Sequence, residues 1–136
     1  MIRKLTFSTV YVLNQESAFD FYVNKLGFKV HTDAQFGKDN RWLTVTAPEQ
    51  PEVEISLLLV AEGEMISKEA VKTLTELIQK GTFGYGGFEC NDIYATYEEL
   101  KGKGVAFAHP PKEEFYGIAT VFTDDSGNWF SLTQKQ

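Results

Sequence analysis

The sequence predicts an α+β fold built from two similar modules, each a strand followed by a helix and three further strands. Three observations support this prediction. The strand–helix–strand–strand–strand order occurs twice, an amphipathic helix separates the two occurrences, and corresponding positions keep a constant separation. The separation from Ala18 to Ala95 equals that from Gly27 to Gly104, the two glycines predicted to end the module helices. A chain of 136 residues suffices for one domain containing both modules.

The first module is predicted over residues 1–62. Polar and apolar residues alternate over 5–12, which is typical of a strand. Asn14, with Ser17 as a second candidate, is positioned to cap a helix at 15–26. The remaining predicted segments are strands at 28–33, 41–47 and 53–60, with a polar loop at 35–40.

A connecting segment at 63–82 is predicted to contain a helix at 67–80. The second module follows at 83–136, and its helix is predicted to be capped by Asn91 or Asp92. Its segments are a strand at 83–90, a helix that runs to Lys103, and strands at 105–108, 118–124 and 128–134, with a loop at 110–117.

Composition places the chain among ordinary globular proteins, since 43% of its residues are hydrophobic and 24% are charged. The formal net charge of −6 disfavours generic binding to nucleic acid or to an anionic membrane surface. Cys90 is the one cysteine, which excludes an internal disulfide framework. The N-terminal residues alternate in polarity where a secretory leader needs a continuous apolar core, and no apolar run approaches the length of a bilayer span. We therefore expect a cytoplasmic protein.

Three segments resemble the vicinal oxygen chelate superfamily, which includes glyoxalase I, extradiol dioxygenases and bleomycin-resistance proteins. Residues 18–30 are similar to the first helix and second strand of that family, 90–105 to the second helix with its flanks, and 116–134 to the closing strands. The resemblance covers nearly the whole chain. It implies two βαβββ modules whose curved sheets enclose a cavity, usually in a homodimer.

Metal-dependent members of this superfamily hold their ion with one ligand from each of four strands. The resemblance implies that the corresponding positions here are Phe7, Ser56, Tyr85 and Ser131. Phenylalanine has no donor atom, and neutral hydroxyls are poor ligands for Zn, Ni or Fe(II), which prefer imidazole, carboxylate or thiolate. We therefore predict that the protein uses no metal and no other cofactor.

Strand alternation places further side chains on the faces that carry these four positions. Aromatic rings, hydroxyls and two carboxylates are then expected to line one concavity, a composition typical of a small-molecule pocket. The predicted ligand-binding residues are Phe7, Thr9, Tyr11, Trp42, Glu54, Ser56, Tyr85, Glu89, Tyr116, Trp129 and Ser131. Two interpretations of the aromatic rings remain open. The rings either line an open pocket or fill the space that a metal site occupies in other members of the superfamily.

Glu54 and Glu89 are predicted to supply the negative charge of this pocket. If they are buried together, one of them can keep a proton and act as an acid or a base. If they lie at a rim or an edge strand, both are simply solvated. His31 and His109 match no ligand spacing and are interpreted as surface or packing residues.

The main functional hypothesis is metal-independent binding of a small aromatic or cationic molecule, as in the drug-sequestering relatives that the resemblance implies. An aromatic cage beside carboxylates favours a cationic ligand. The alternative is a lyase, isomerase or dioxygenase of the same superfamily, with catalytic residues that the sequence does not identify. A third hypothesis is a protein kept for interaction with a partner. The expected partners are a small-molecule ligand and a second copy of the chain, without nucleic acid or membrane.

Overall fold

In a computed structural model, residues 1–135 are described and form two compact units, one at Met1–Val71 and one from Lys72 onward. Each unit contains one β-sheet, and the predicted α+β class is confirmed. The second unit has one strand more after its helix than the predicted segment order. Helix α2 (Lys68–Gln79) contains the transition between the units. Within the described residues, no helix is both long and apolar enough to cross a membrane.

The first unit has a four-stranded sheet in the order β1-β4-β3-β2. Its elements are β1 (Phe7–Val12), α1 (Gln15–Phe19), β2 (Lys29–Phe36), β3 (Asn40–Thr46) and β4 (Glu54–Leu59). Strand β1 is parallel to β4, and the other neighbouring strands are antiparallel. The loop predicted at 35–40 is shorter than expected, because β2 and β3 stay paired as far as Phe36 and Asn40.

The first helix departs from the prediction of one regular helix at 15–26. Asn14 caps it as expected, since its side-chain oxygen accepts a hydrogen bond from the backbone N–H of Ser17 at 2.9 Å. From Asp20 to Lys25 the helix widens into a π-helical segment. The backbone N–H of Leu26 then donates to the carbonyl of Phe21, five residues earlier. The helical spacing of apolar residues in the sequence does not predict that a helical turn contains one extra residue.

Strand alternation separates the two faces of the first sheet. One face holds apolar side chains that are buried, namely Val10, Val12, Leu43, Val45 and Leu57. Ala18, Phe21 and Tyr22 of the helical segment are buried as well and complete the apolar core of this unit. The opposite face carries Ser56 and its paired threonines, and we call it the hydroxyl face.

The second unit has a sheet in the order β5-β9-β8-β6, with β7 paired to β8. Its elements are β5 (Gly84–Glu89), α3 (Ile93–Gly102), β6 (Ala106–Phe107), β7 (Lys112–Glu114), β8 (Gly117–Thr123) and β9 (Trp129–Gln134). Strand β7 was predicted as loop; its charged residues show no alternation, and it forms through antiparallel pairing with β8. Asp92 caps α3 by accepting from the N–H of Ala95 at 3.1 Å.

Candidate functional site

The predicted site residues of the first module lie together on the hydroxyl face. In the register of β1 with β4, Phe7 pairs with Glu54 and Thr9 with Ser56, while Tyr11 pairs with Leu58. Paired residues of neighbouring strands point to the same side of a sheet. Trp42 joins this face because it lies two residues from Thr44, the β3 partner of Ser56. The structure therefore brings six of the predicted residues together: Phe7, Thr9, Tyr11, Trp42, Glu54 and Ser56.

A row of hydroxyl side chains crosses the hydroxyl face, with one from each strand. The register pairs Thr9 with Ser56, Ser56 with Thr44, and Thr44 with Thr32. Ser56 lies in this row, is only 1% exposed, and has no hydrogen-bond partner for its Oγ within residues 1–135. A buried hydroxyl without a partner is unusual and points to a group that the folded chain itself does not supply.

Two aromatic rings of the hydroxyl face contact one another. The ring centroids of Phe7 and Trp42 lie 5.3 Å apart with an interplanar angle of 87°, an edge-to-face arrangement. Phe7 is 43% exposed. The first module therefore presents an aromatic pair to its surroundings, beside a half-buried carboxylate.

That carboxylate, Glu54, has two polar neighbours that fix its position. Thr44 Oγ1 donates to Glu54 Oε1 at 2.8 Å, and His31 Nδ1 lies 3.0 Å from the same oxygen. The Glu54 side chain is 24% exposed. The sequence interpretation of His31 as a surface or packing residue missed its contact with Glu54. A shift in the β2–β3 register between Val30 and Thr32 accompanies this contact, and no local pattern indicates such a shift.

The second sheet brings three predicted residues to one face, which we call the Ser131 face. Trp129 and Ser131 lie two residues apart in β9, so their side chains point to the same face. Glu89 of β5 pairs with Thr133, two residues after Ser131, and joins that face. Trp129 pairs with Gly84, and its indole lies so close that a Cβ at Gly84 would overlap the ring. The indole therefore lies against the β5 backbone. Trp129 is 37% exposed, so part of the ring remains accessible to solvent.

The predicted placement of Tyr85 on the Ser131 face is wrong. A bulge between Gly84 and Gly86 gives β5 one extra residue against β9, so the simple alternation fails at Tyr85. The Tyr85 ring stacks on Phe130, at 6.4 Å between centroids, and Phe130 is a buried residue of the opposite face. Tyr85 therefore belongs with the aromatic core of the second unit.

Glu89 and Tyr116 are both exposed. Lys135 Nζ lies 3.3 Å from Glu89 Oε1, and the Glu89 side chain is 58% exposed, so this carboxylate corresponds to the solvated alternative. Tyr116 lies in the turn between β7 and β8, where its ring meets Phe115 edge-on at 4.9 Å. The two predicted carboxylates thus differ in burial, with Glu54 the more enclosed.

Cys90 follows β5 and is partly buried. Burial raises the pKa of its thiol, and the negative charges of Asp92 and Glu89 act in the same direction. A hydrogen bond with Thr96 opposes this rise in pKa. A thiol with a raised pKa forms little thiolate near neutral pH, and the thiolate is the reactive form. We therefore interpret Cys90 as a packing residue.

Residues 4–132 match the family described as the Glyoxalase/Bleomycin resistance protein/Dioxygenase superfamily. The chain belongs to this superfamily. Among its curated relatives, the uncharacterized protein YetH of Bacillus subtilis (strain 168) is 32% identical over 134 residues, covering 98% of this chain and 100% of YetH.

Two solved structures of similar proteins match nearly the whole chain of this superfamily member. The crystal structure of UcmS2 has a TM-score of 0.91 and 43% identity, and the match covers 98% of both chains. TnmS3 from Streptomyces sp. CB03234, described as an antibiotic binding protein, has a TM-score of 0.74 and 29% identity, covering 99% of this chain and 98% of TnmS3.

The residues at the four metal-ligand positions implied for the superfamily do not fit a transition metal. Phe7 offers no donor atom, and Tyr85 is stacked within the aromatic core of its own unit. Ser56 and Ser131 contribute only neutral hydroxyls, which are weak ligands for such ions. Within residues 1–135, no group of three or more His, Cys, Asp and Glu side chains is placed to hold a metal ion. We therefore assign no metal-dependent step to this superfamily member.

Proposed function

We propose that this protein binds a planar aromatic small molecule without a metal and holds it unchanged. The observation that carries the proposal is the hydroxyl face, where the Phe7–Trp42 ring pair lies beside Glu54 and the buried hydroxyl of Ser56. Apolar rings with a few oriented polar groups are the usual composition of a small-molecule site. The likeness to TnmS3, described as an antibiotic binding protein, supports a ligand of antibiotic type.

The proposed contacts of the hydroxyl face also include Thr9 and Tyr11. Trp129 and Ser131 on the second sheet are proposed separately, as ligand contacts of their own unit. Glu54 adds a negative charge beside the rings, which favours a cationic ligand through Coulomb attraction and cation–π contact. The net charge of −6 acts in the same direction.

The His31–Glu54 contact favours an enzymatic alternative. An imidazole within 3.0 Å of a carboxylate oxygen can transfer a proton to or from a bound molecule. A lyase or isomerase without a metal is therefore the second candidate function. Recovery of the bound compound after long incubation, followed by mass spectrometry and chromatography, distinguishes the two, because an enzyme returns an altered compound.

We expect saturable binding of the planar cation proflavine, measured by its fluorescence, to be tighter than binding of the anion 1-anilinonaphthalene-8-sulfonate. Trp42→Ala should weaken proflavine at least about tenfold, since it removes one ring of the aromatic pair. Glu54→Gln should weaken proflavine severalfold and leave the neutral dye acridone unaffected. Tyr94→Ala, which removes an exposed ring on α3, serves as the matched control and should change nothing.

Preferred binding of the anion, or equal loss in Trp42→Ala and Tyr94→Ala, would contradict the proposed site. Absence of saturable binding to any of these dyes would contradict the proposed function as a whole. A stoichiometric transition metal in the purified protein, removed together with activity by a chelator, would favour the enzymatic alternative through ligands not predicted above.

We also propose that two copies of the chain form a homodimer, as the family resemblance implies. Association would cover sheet edges and site-bearing faces, and a specific interface of this kind buries at least about 1,000 Å². We expect light scattering to give twice the mass of the chain at micromolar concentration. A monomeric mass at high protein concentration would contradict this expectation.

A further inference from the structure

The hydroxyl of Ser56 lies in an unusual position for a polar group. It is on an inner strand of the first sheet, between Thr9 on β1 and Thr44 on β3. The side chain is 1% exposed and its Oγ has no hydrogen-bond partner within residues 1–135. A buried polar group left in this state lowers stability, because its hydrogen bond to water is lost and not replaced.

The Phe7–Trp42 pair joins the two strands that flank the strand of this hydroxyl. Phe7 pairs with Glu54, two residues before Ser56, on one side of β4. Trp42 lies on the other side of β4, two residues from the partner of Ser56 and toward the opposite end of the strand. Neighbouring strands are about 4.8 Å apart, so rings from these diagonal positions reach a centroid distance of 5.3 Å only by crossing β4 near Ser56.

We propose that Ser56 Oγ–H donates a hydrogen bond to a ring carbonyl of a planar aromatic ligand that inserts between Phe7 and Trp42. This inference rests on the proposed function and names the polar group of the ligand. The proton of Thr44 already has an acceptor in Glu54, whereas that of Ser56 has none within residues 1–135. The ligand therefore has to bring an acceptor to this hydroxyl.

The ring pair gives the ligand a route to the hydroxyl. An edge-to-face contact between two side chains is weak, on the order of 1 kcal/mol beyond the area it buries. A flat ring that separates Phe7 from Trp42 replaces this contact with two stacking contacts. Because Phe7 is 43% exposed and lies on the face opposite the apolar core, its ring can turn outward without disturbing that core.

The experiment compares acridone, which has a ring carbonyl, with carbazole, a planar tricycle that keeps a ring N–H and has no in-plane hydrogen-bond acceptor, at pH 8 where both are neutral. Ser56→Ala should weaken acridone about tenfold, since a buried hydrogen bond is lost, and leave carbazole within about twofold. Ser56→Cys replaces the hydroxyl with a slightly larger thiol, a weaker donor, and should show an intermediate loss. Ser8→Ala removes an exposed hydroxyl from the opposite face of β1 and should bind both dyes as the parent does.

Urea unfolding provides the second readout. Ser56→Ala should be at least as stable as the parent, because it removes a buried hydroxyl that lacks a partner. Unchanged acridone binding in Ser56→Ala, or an equal loss of both dyes, would overturn this inference. Binding of carbazole without acridone by the parent protein would also overturn it, and would leave the proposed function intact. Failure of the parent to bind acridone and carbazole while it still binds proflavine would overturn this inference alone. Failure to bind proflavine as well would overturn the proposed function and this inference with it.

Discussion

Replacement of Asp124 by alanine is expected to lower the free energy of unfolding by about 3 kcal/mol or more. Asp124 Oδ1 accepts from the backbone N–H groups of Ser126, Gly127 and Asn128, each at 2.9 Å. Its Oδ2 accepts from the side-chain amide of Asn128 at 3.0 Å. Asp124 is 6% exposed, and Ser126 and Asn128 are buried as well, so alanine would remove a buried acceptor that these donors share.

This turn also determines where β9 begins, and therefore where Trp129 and Ser131 lie. Gly127 has a φ of 117°, and a Cβ there would overlap the carbonyl oxygen of Ile78 at the end of α2. The Asp124 carboxylate thus holds a tightly packed turn next to a helix. Loss of this carboxylate should disturb the start of β9 as well as lower stability.

Urea unfolding followed by circular dichroism measures the effect, with Asp125→Ala as the matched control. Asp125 is the adjacent aspartate and is exposed, so its replacement should change the free energy of unfolding by at most about 0.5 kcal/mol. Equal midpoints for the two variants would show that the hydrogen bonds of Asp124 contribute nothing net to stability.

The local features of this fold could be predicted from the sequence because their causes are local. Asn14 and Asp92 cap their helices through the side-chain bonds that their residue types favour. Gly27 and Gly104 end the same helices with φ values of 79° and 90°, a conformation that costs glycine little.

The irregular features were not predicted from the sequence, and two of them arise from pairing between distant segments. The bulge in β5 exists only relative to β9, and it moved Tyr85 off the predicted face. Strand β7 exists only through its pairing with β8. The π-helical segment at Asp20–Lys25 likewise departs from the regular spacing that periodicity assumes.

The face on which each candidate site residue lies could be predicted only where the strand that carries it is regular. Alternation placed Glu54 and Ser56 on one face correctly, because β4 is regular. His31 was missed, since its position beside Glu54 depends on the β2–β3 register and on the β3–β4 register together. Site residues on regular strands are therefore recovered from period-two patterns, and those at bulges are not.

Replacement of Gly84 by alanine is expected to displace the Trp129 indole and to cost about 1–3 kcal/mol of stability, as overpacking does. The new Cβ would overlap three atoms of the ring, Cε2, Cζ2 and Nε1, so the side chain has to move as a whole. Backbone strain is not the cause, because Gly84 is not among the glycines with positive φ. Gly102→Ala is the matched control, since no atom lies within 4 Å of its added Cβ.

Two measurements follow the displaced ring. In a Trp42→Phe background, where Trp129 is the remaining tryptophan, Gly84→Ala should shift the emission to longer wavelength as the indole leaves the β5 backbone for water. With Trp42 present, Gly84→Ala should also weaken proflavine severalfold, because Trp129 is a proposed stacking surface. An unchanged emission would contradict the close packing of Trp129 on Gly84. A shifted emission with unchanged dye affinity would confirm that packing and contradict the proposal that Trp129 contacts a ligand.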